Sequence, residues 1–335
     1  MVKRVRWGVL GNANIARKAL VPAIKAAENA ELKGIASRNS DRAAEAAAEQ
    51  GFEKHYGSYE ALLADPEIDA VYIPLPNGLH AEWVKKAAEA GKHVLCEKPA
   101  ALTADEATGM IEECGRHEVL FMEAFMYQFH PQHDRVKEII ADGEIGDVRV
   151  MRSQFSFGMK DPANVRLNRE LGGGSLYDVG CYCIHAARHI LGEEPSRVYA
   201  QAHLDADFDH VDMTTTGMLS FEKDVQLLFD CSFESFPQEN YQVIGEKGSI
   251  EVVRPFRPDK NEDGKAHIYI TSEDGTTREE PIPGDAYTLQ VEHFSQCVLD
   301  GAEPSYSGVQ TIRNMRVIDA CYESIRTGEV VELRK

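Results

Sequence analysis

The sequence predicts an α/β chain in two parts. A parallel sheet flanked by helices comes first, followed by an α+β half built on an open, largely antiparallel sheet. Three observations predict it. Short β-rich apolar runs alternate with amphipathic helical stretches from Val5 to Met122, the pattern of βαβ units. Beyond a helix from His133 to Ala141 the runs lengthen and follow one another with few helices between them, as in antiparallel sheets. The 335 residues exceed what one hydrophobic core usually holds, so two domains are the default. The expected division is 1–122 and 123–335, with no Pro/Gly/Ser linker between them.

In the first part, Val5–Leu10 reads as a strand, and Gly11–Ala16 follows at once. Ile15, Ala19, Leu20, Ala23, Ile24 and Ala27 then recur at helical spacing. Glu31–Ser37 is the second strand. Asp41–Gln50 is an Ala/Glu helix with Ser40 as its expected N-cap and Gly51 as its stop. Ser58–Leu63 is a short helix, Ala70–Pro74 a strand, His80–Ala90 a helix and Val94–Cys96 a strand. A helix over Ala104–Cys114 and a strand over Val119–Met122 close this part. In the second, strands are expected at Val148–Phe157, Arg197–Ala206, Met213–Phe221, Val225–Phe233, Tyr241–Ile244 and Gly248–Val253. Helices are expected at Gly174–Leu191, Tyr287–Leu299 and Gln310–Thr327.

Composition narrows the function. Hydrophobic residues at 43% suffice for two packed cores, and no window holds the 18 or so apolar residues of a membrane span. The N-terminus runs into a strand without an apolar signal region, so a cytoplasmic protein is expected. A net charge of −19 argues against nucleic acid or an anionic membrane as partner. Residues 1–122 carry 15 basic and 18 acidic side chains, the remainder 21 and 37. The near-balanced first part therefore suits an anionic ligand. The seven cysteines are scattered, and only Cys181 and Cys183 are close. That spacing is neither a zinc nor a redox pair, so reduced, mostly buried thiols are expected.

Strand, glycine loop, helix is the context of a dinucleotide fingerprint. Here the loop is Gly11-x-Ala13-x-x-Ala16. Gly11 makes the tight turn, Ala13 lets the backbone approach a pyrophosphate, and Ala16 permits close helix–strand packing. Free N–H groups at the helix start would hold the negative charge. The second strand ends in Ser37-Arg38 rather than in an acid. An acid there would accept from a ribose 2′-OH, whereas Arg38 can pair with a 2′-phosphate. NADP(H) is favoured, with NAD(H) the lesser alternative. Ligands of open α/β sheets bind beyond the carboxyl ends of the strands. The candidate cofactor contacts are accordingly Gly11, Asn12, Ala13, Asn14, Ile15, Ser37, Arg38, Pro74, Leu75, Asn77, His80, Glu97 and Lys98. Lys98 closes the Val94–Cys96 strand, and Pro99 biases it away from helical backbone, so its side chain is aimed rather than trailing.

The second dense signal is the stretch Gly172 to His189. Three glycines lead into a helix on which Asp178, Tyr182, His185 and His189 are spaced +4, +3, +4, in one stripe. His185 and His189 have an i, i+4 spacing that can bind metal, but no Glu follows His185 and no third ligand suggests itself. No metal is expected.

The Gly-x-Ala-x-x-Ala loop, Glu97-Lys98-Pro99, and Gly172-Gly173-Gly174-x-x-x-Asp178-x-Gly180-x-Tyr182 together resemble the glucose–fructose oxidoreductase/inositol dehydrogenase (Gfo/Idh/MocA) family. Met122-Glu123-Ala124-Phe125 resembles its dimeric dihydrodiol dehydrogenase and xylose dehydrogenase branch. The resemblance runs from Trp7-Gly8 to the Ser324–Val331 tail. It implies a Rossmann domain plus an open antiparallel sheet, with nicotinamide chemistry on a sugar, polyol or related diol. It also implies a homodimer or homotetramer formed through the second domain's sheet. Lys98 and Asp178 match the motif lysine and aspartate. Tyr182 stands where inositol dehydrogenases carry a histidine acid/base, a departure shared by other branches that argues against inositol. Two further readings remain: a redox-neutral glycosidase that retains NAD, and a non-catalytic dinucleotide-sensing regulator, which Lys98 with Tyr182 disfavours.

The chemistry is consistent with these residues. Oxidising a secondary alcohol removes a proton while hydride leaves for the nicotinamide. A tyrosine, with an ordinary pKa of about 10, is a poor base near neutrality. A cation within roughly 4–6 Å favours its phenolate, and a two-unit drop corresponds to about 2.7 kcal/mol. The expected catalytic set is Lys98, Tyr182 and Asp178. Asp178 alone would push Tyr182 the wrong way, so it is expected to pair with Lys98 or accept a substrate hydroxyl. Substrate contacts are expected from Lys98, Asp178, Tyr182 and His185. His185 is the rival acid/base, because imidazole titrates near neutrality unaided. Specificity is expected from loops near 125–132, 155–170 and 235–240.

Overall fold

The structure, a computed structural model, describes residues 3–333. By its contacts the chain forms two compact units. The first comprises the chain up to Met126 together with Ala286–Ile312; the second comprises Tyr127–Asp285 and the chain from Arg313 onward.

The first unit is a six-stranded parallel sheet: β1 (Val5–Leu10), β2 (Ala30–Ala36), β3 (Lys54–Tyr56), β4 (Ala70–Ile73), β5 (His93–Cys96) and β6 (Phe121–Glu123). Its connecting helices are α1 (Val21–Ala26), α2 (Ser40–Gln50), α3 (Tyr59–Leu63), α4 (His80–Glu89) and α5 (Ala104–Arg116). A π-helical turn, Ala16–Leu20, leads into α1. The strand order is β3-β2-β1-β4-β5-β6, the doubly wound arrangement of a Rossmann sheet. β1, β4 and β5 are buried almost throughout, as strands covered on both faces must be. α2 begins one residue earlier than expected, and its cap is Asn39, whose side chain accepts from Arg42 N at 3.0 Å. The cap at Ser58 serves α3 in the same way, at 3.1 Å from Ala61 N.

The second unit contains α6 (Pro131–Ala141), β7 (Val148–Ser156), α7 (Cys181–Leu191) and the strands β8 (Arg197–Asp205), β9 (Val211–Ser220), β10 (Gln226–Ser232), β11 (Gln238–Gly245), β12 (Ser249–Val253), β13 (Ala266–Thr271) and β14 (Thr277–Ile282). Helix α8 (Ala286–Asp300) belongs to the first unit. The chain closes with α9 (Gly308–Thr327), whose first turn also lies in that unit, and with β15 (Val331–Glu332). The nine strands run in the order β14-β13-β12-β11-β7-β10-β9-β8-β15, antiparallel except for the β7–β10 pair. No helix among the described residues is long and apolar enough to cross a membrane. All seven cysteines are reduced and buried.

The single expected cut at 122/123 does not anticipate the return of 286–312 to the first unit. The cause is visible at Trp7. Its fully buried ring lies 5.7 Å from that of Phe294, and its Nε1–H donates to Ser295 Oγ at 3.1 Å. A strand tryptophan thus draws α8 onto the first sheet. β3, β13, β14 and β15 were not expected as strands. β14 is a polar edge strand containing Pro281, the composition that protects edges from further pairing.

One buried carboxylate sets the entry to α7. Gly173 N and Gly174 N donate to Asn168 O (2.8 Å) and Arg166 O (3.0 Å). Gly174 has φ +132°, and a side chain there would overlap Asp212 Oδ1. Asp212 Oδ2 accepts from Leu176 N (2.7 Å), Ser175 Oγ (2.9 Å) and Thr215 Oγ1 (3.1 Å), while Oδ1 accepts from Tyr322 Oη (2.9 Å). Burial raises the pKa of this carboxyl, and its donors partly offset the rise. Immediately after, Leu176–Gly180 forms a π-helical turn before α7 proper.

Asp212→Ala should therefore strand several buried donors and cost more than about 3 kcal/mol. Asp212→Asn keeps an acceptor for the three donors on one oxygen, and should cost under ~1.5 kcal/mol. Urea unfolding followed by far-UV circular dichroism reads both; equal losses would show that the carboxylate is not an acceptor hub.

Candidate active site

In the first unit the strand order reverses between β1 and β4, and such a switch point opens the crevice where α/β sheets bind ligands. Gly11 leaves β1 with φ +106°, and its N donates to Ala36 O at 2.9 Å. A Cβ at Gly11 would lie 3.3 Å from Leu75 Cδ2 and 3.4 Å from Tyr59 Oη. The bare backbone thus leaves room at the point where a pyrophosphate approaches, and the residues present fit a dinucleotide. Asn12 and Asn14 turn their side-chain oxygens to Gln50 (2.9 Å) and Arg17 (2.7 Å). What they and Ala13 and Ile15 offer a ligand is the main chain of the first turn, whose N–H groups have no intrahelical partner. Ser37 and Arg38 follow β2 at the same end of the sheet, Ser37 half-buried and Arg38 exposed.

The chain around Lys98 is held from several sides. Tyr72 Oη donates to Glu97 Oε1 at 2.5 Å. The Lys98–Pro99 peptide is cis. Ala100 N donates to Glu123 Oε1 at 2.9 Å, and Tyr306 Oη donates to Glu123 Oε2 at 3.3 Å. His80 lies between Pro99 O (Nδ1, 2.9 Å) and Leu75 O (Nε2, 2.8 Å). Burial lowers its pKa to about 4, and the two carbonyls act against that shift. Expected as a cofactor contact, His80 is fully buried with both ring nitrogens against main-chain carbonyls. It ties the loop after β4 to the loop after β5, and it presents nothing to a ligand. Pro74, Leu75 and Asn77 lie in the first of those loops. Glu123, which holds the second, entered the sequence reading only as part of the Met122–Phe125 motif, with no role assigned.

In the second unit Tyr182 sits at the start of α7, 6% exposed. Its ring centroid is 5.0 Å from Phe256, 5.5 Å from Phe155 and 5.7 Å from Tyr127. Asp178, in the π-helical turn, is ion-paired with Arg166 Nε at 2.7 Å. A π turn carries more residues than an α turn, so Asp178 and Tyr182 lack the simple i, i+4 offset of a regular helix. The expected stripe is regular only from Tyr182 onward. His185 is 1% exposed, and its Nδ1 is 2.5 Å from Tyr127 Oη. Burial drives its pKa well below the ordinary value, with His189 adding to the effect. His133 and His189 are likewise depressed by burial, His189 to about 3. The rings of His185 and His189 stack 5.8 Å apart at 17°, a geometry in which their lone pairs do not converge on one ion. Among the described residues no group of three or more His, Cys, Asp or Glu side chains could hold a metal.

Arg166, Tyr127, Phe155 and Phe256 were not named from the sequence. The first three lie in or beside the loops expected to set specificity, but nothing local marks an arginine twelve residues upstream as the partner of Asp178.

Comparisons with known proteins match both parts of the chain. Residues 5–125 match the model of the oxidoreductase family with an NAD-binding Rossmann fold, and residues 133–251 match the GFO/IDH/MocA C-terminal domain. A D-xylose 1-dehydrogenase (NADP(+)) from Haloferax volcanii is 42% identical over 98% of this chain and 99% of its own. The crystal structure of an aldose–aldose oxidoreductase from Caulobacter crescentus, complexed with glycerol, superposes with a TM-score of 0.91. It has 28% identity and covers 99% of this chain and 100% of that one. A 3-ketoreductase from Actinomadura kijaniata, solved with NADP and TDP-benzene, gives a TM-score of 0.91 at 32% identity, covering 96% and 98%. With both halves matched in order and relatives aligned along nearly its whole length, the chain belongs to the GFO/IDH/MocA family of oxidoreductases.

Proposed function

We propose that the protein is an NADP(H)-dependent dehydrogenase or reductase, acting on a CH–OH group of a sugar, polyol or related diol. An aldopentose is the first substrate to examine. The observation that carries this is the end-to-end similarity to the NADP(+)-dependent xylose dehydrogenase, in a chain that carries Lys98, Asp178 and Tyr182. The cofactor, when bound, supplies the hydride acceptor or donor. The switch-point turn at Gly11 would hold its pyrophosphate, and Arg38 would pair with the 2′-phosphate through charge-assisted hydrogen bonds.

The chain's own residues handle the proton. In the oxidative direction Tyr182 Oη takes the hydroxyl proton as the C–H electron pair leaves as hydride, so carbon becomes carbonyl and the phenolate becomes phenol. Reduction reverses each transfer. Lys98 is the cation assigned to favour the phenolate, an assignment that rests on the family's motifs. Asp178, oriented by Arg166, is assigned to a substrate hydroxyl. The aromatic rings around Tyr182 limit water near its hydroxyl, which strengthens any charge interaction there. Two observations speak for Tyr182 over His185. Burial makes the imidazole a weak proton acceptor, and Tyr127 already occupies its Nδ1.

Initial rates with aldoses, polyols and diols, each with NADP+ and NAD+, test the reading. Tyr182→Phe should lower turnover by about 10²–10⁴ with cofactor affinity and melting temperature little changed. If His185→Asn abolishes turnover while Tyr182→Phe retains it, the tyrosine is not the acid/base. Lys98→Ala should cut turnover by orders of magnitude and displace the acidic limb of the oxidative pH–rate profile upward, because the phenolate loses its stabilising cation. A variant with most of its turnover would leave Lys98 a bystander. Arg38→Ala should weaken NADP+ binding by about 1.5–3 kcal/mol and barely affect NAD+; equal losses for the two cofactors would remove the 2′-phosphate contact.

A further inference from the structure

Tyr59 has a feature the proposed reaction does not yet use. It is the first residue of α3, and its ring is buried: the residue is 8% exposed, edge-on to Trp83 at 4.7 Å and 87°. A buried tyrosine normally finds a partner for its O–H. Here, among the described residues, no protein group hydrogen-bonds to the hydroxyl, and the residue keeps 8% of its surface exposed. It stands 3.4 Å from where a Cβ on Gly11 would be, on the strip of backbone that a pyrophosphate approaches. Burial raises its pKa, and the positive charge of Arg38 acts on it in the opposite direction, which places the guanidinium within electrostatic reach. Arg38 itself makes no hydrogen bond or ion pair among the described residues and is exposed. An unpartnered phenol beside the glycine turn and a guanidinium within electrostatic reach of that phenol are thus both donors.

Apolar packing explains the ring but not the hydroxyl. A phenylalanine would fill the same space against Trp83 with no hydroxyl to place. The chemistry that would use it is an anionic oxygen at the turn, since a neutral donor to an ionised acceptor makes one of the stronger hydrogen bonds. We propose that Tyr59 is a cofactor-binding residue whose O–H donates to a phosphate oxygen of the dinucleotide. This rests on the NADP(H) reading above. The phosphate is either part of the pyrophosphate, which NAD and NADP share, or the 2′-phosphate that NADP alone carries.

Equilibrium titration of wild type and Tyr59→Phe with NADP+ and with NAD+, by calorimetry and without substrate, separates these cases. Thermal unfolding of the ligand-free proteins accompanies it. Tyr59→Phe should weaken binding by about 10- to 100-fold, with the ligand-free melting temperature unchanged because no protein hydrogen bond is lost. Weakening for NADP+ alone assigns the 2′-phosphate, and equal weakening for both assigns the pyrophosphate. Wild-type binding with an unaltered Tyr59→Phe affinity overturns the inference alone. Unaltered affinity with a lowered melting temperature does so too, and makes the hydroxyl structural. A wild-type protein that binds neither dinucleotide overturns the cofactor reading and this inference with it.

Discussion

The reversal of strand order between β1 and β4 is the constraint on which the first unit depends. Where neighbouring strands lead to loops on opposite sides, no connection covers their carboxyl ends, and a gap remains. Gly11 and Leu75 face each other across that gap. The loops after β4 and β5 are then fastened to one another by His80, which touches carbonyls of both. Glu123 fastens the second loop to β6. Lys98 is consequently mounted on backbone that has little freedom, so the cost of ordering it is met on folding and not at each turnover.

The second unit uses a different device for the same purpose. Its key residues stand at the entry of a helix, where frayed backbone would blur their positions. Asp212 removes that freedom by collecting four donors on one buried carboxylate. The glycines make the close approach sterically feasible: Gly173 N and Gly174 N reach the carbonyls of Asn168 and Arg166, which a Cβ at Gly173 would strike at 2.8 and 2.5 Å. Because Arg166 supplies one of those carbonyls, and its guanidinium also binds Asp178, one loop fixes both the backbone and the carboxylate. A buried charge of this kind is costly to create and costlier to break, which gives the site rigidity at some expense in stability.

Much of this was legible in the sequence, for physical reasons. The parallel sheet announces itself through short apolar strands and capped helices, and the glycine loop through its place between β1 and a helix. Lys98, Asp178 and Tyr182 stand out because motif and local chemistry coincide there. What escaped depends on contacts distant in sequence. Trp7 gives no sign that it will collect Phe294 and Ser295. β14 is too polar to declare itself, although β13 beside it alternates Ala266, Ile268 and Ile270 inward with His267 and Tyr269 half-exposed. The π turn before α7 breaks a stripe that a regular helix would have kept. His80 looks like a ligand-facing imidazole until burial shows both nitrogens occupied by main chain.

The histidines of the second unit carry the last step of the argument. His133, His185 and His189 lie close together, with rings 5.8 and 6.3 Å apart, and a protonated member would place charge in an apolar interior beside two more imidazoles. Burial is the largest cause lowering each pKa, and neighbouring positive groups add to it. Tyr127 and Tyr241 hydroxyls hold His185 and His133 in place, at 2.5 and 2.9 Å, as polar packing and not as proton carriers. The cluster supports the floor of aromatic rings on which Tyr182 rests, since Tyr127 touches His185, His133 and Tyr182 alike. Three groups that would ordinarily titrate near neutrality are thereby made weak bases, which is why the proposed proton transfer is assigned to a phenol helped by a cation. That division of labour is why a site so rich in histidine is better read as a tyrosine site.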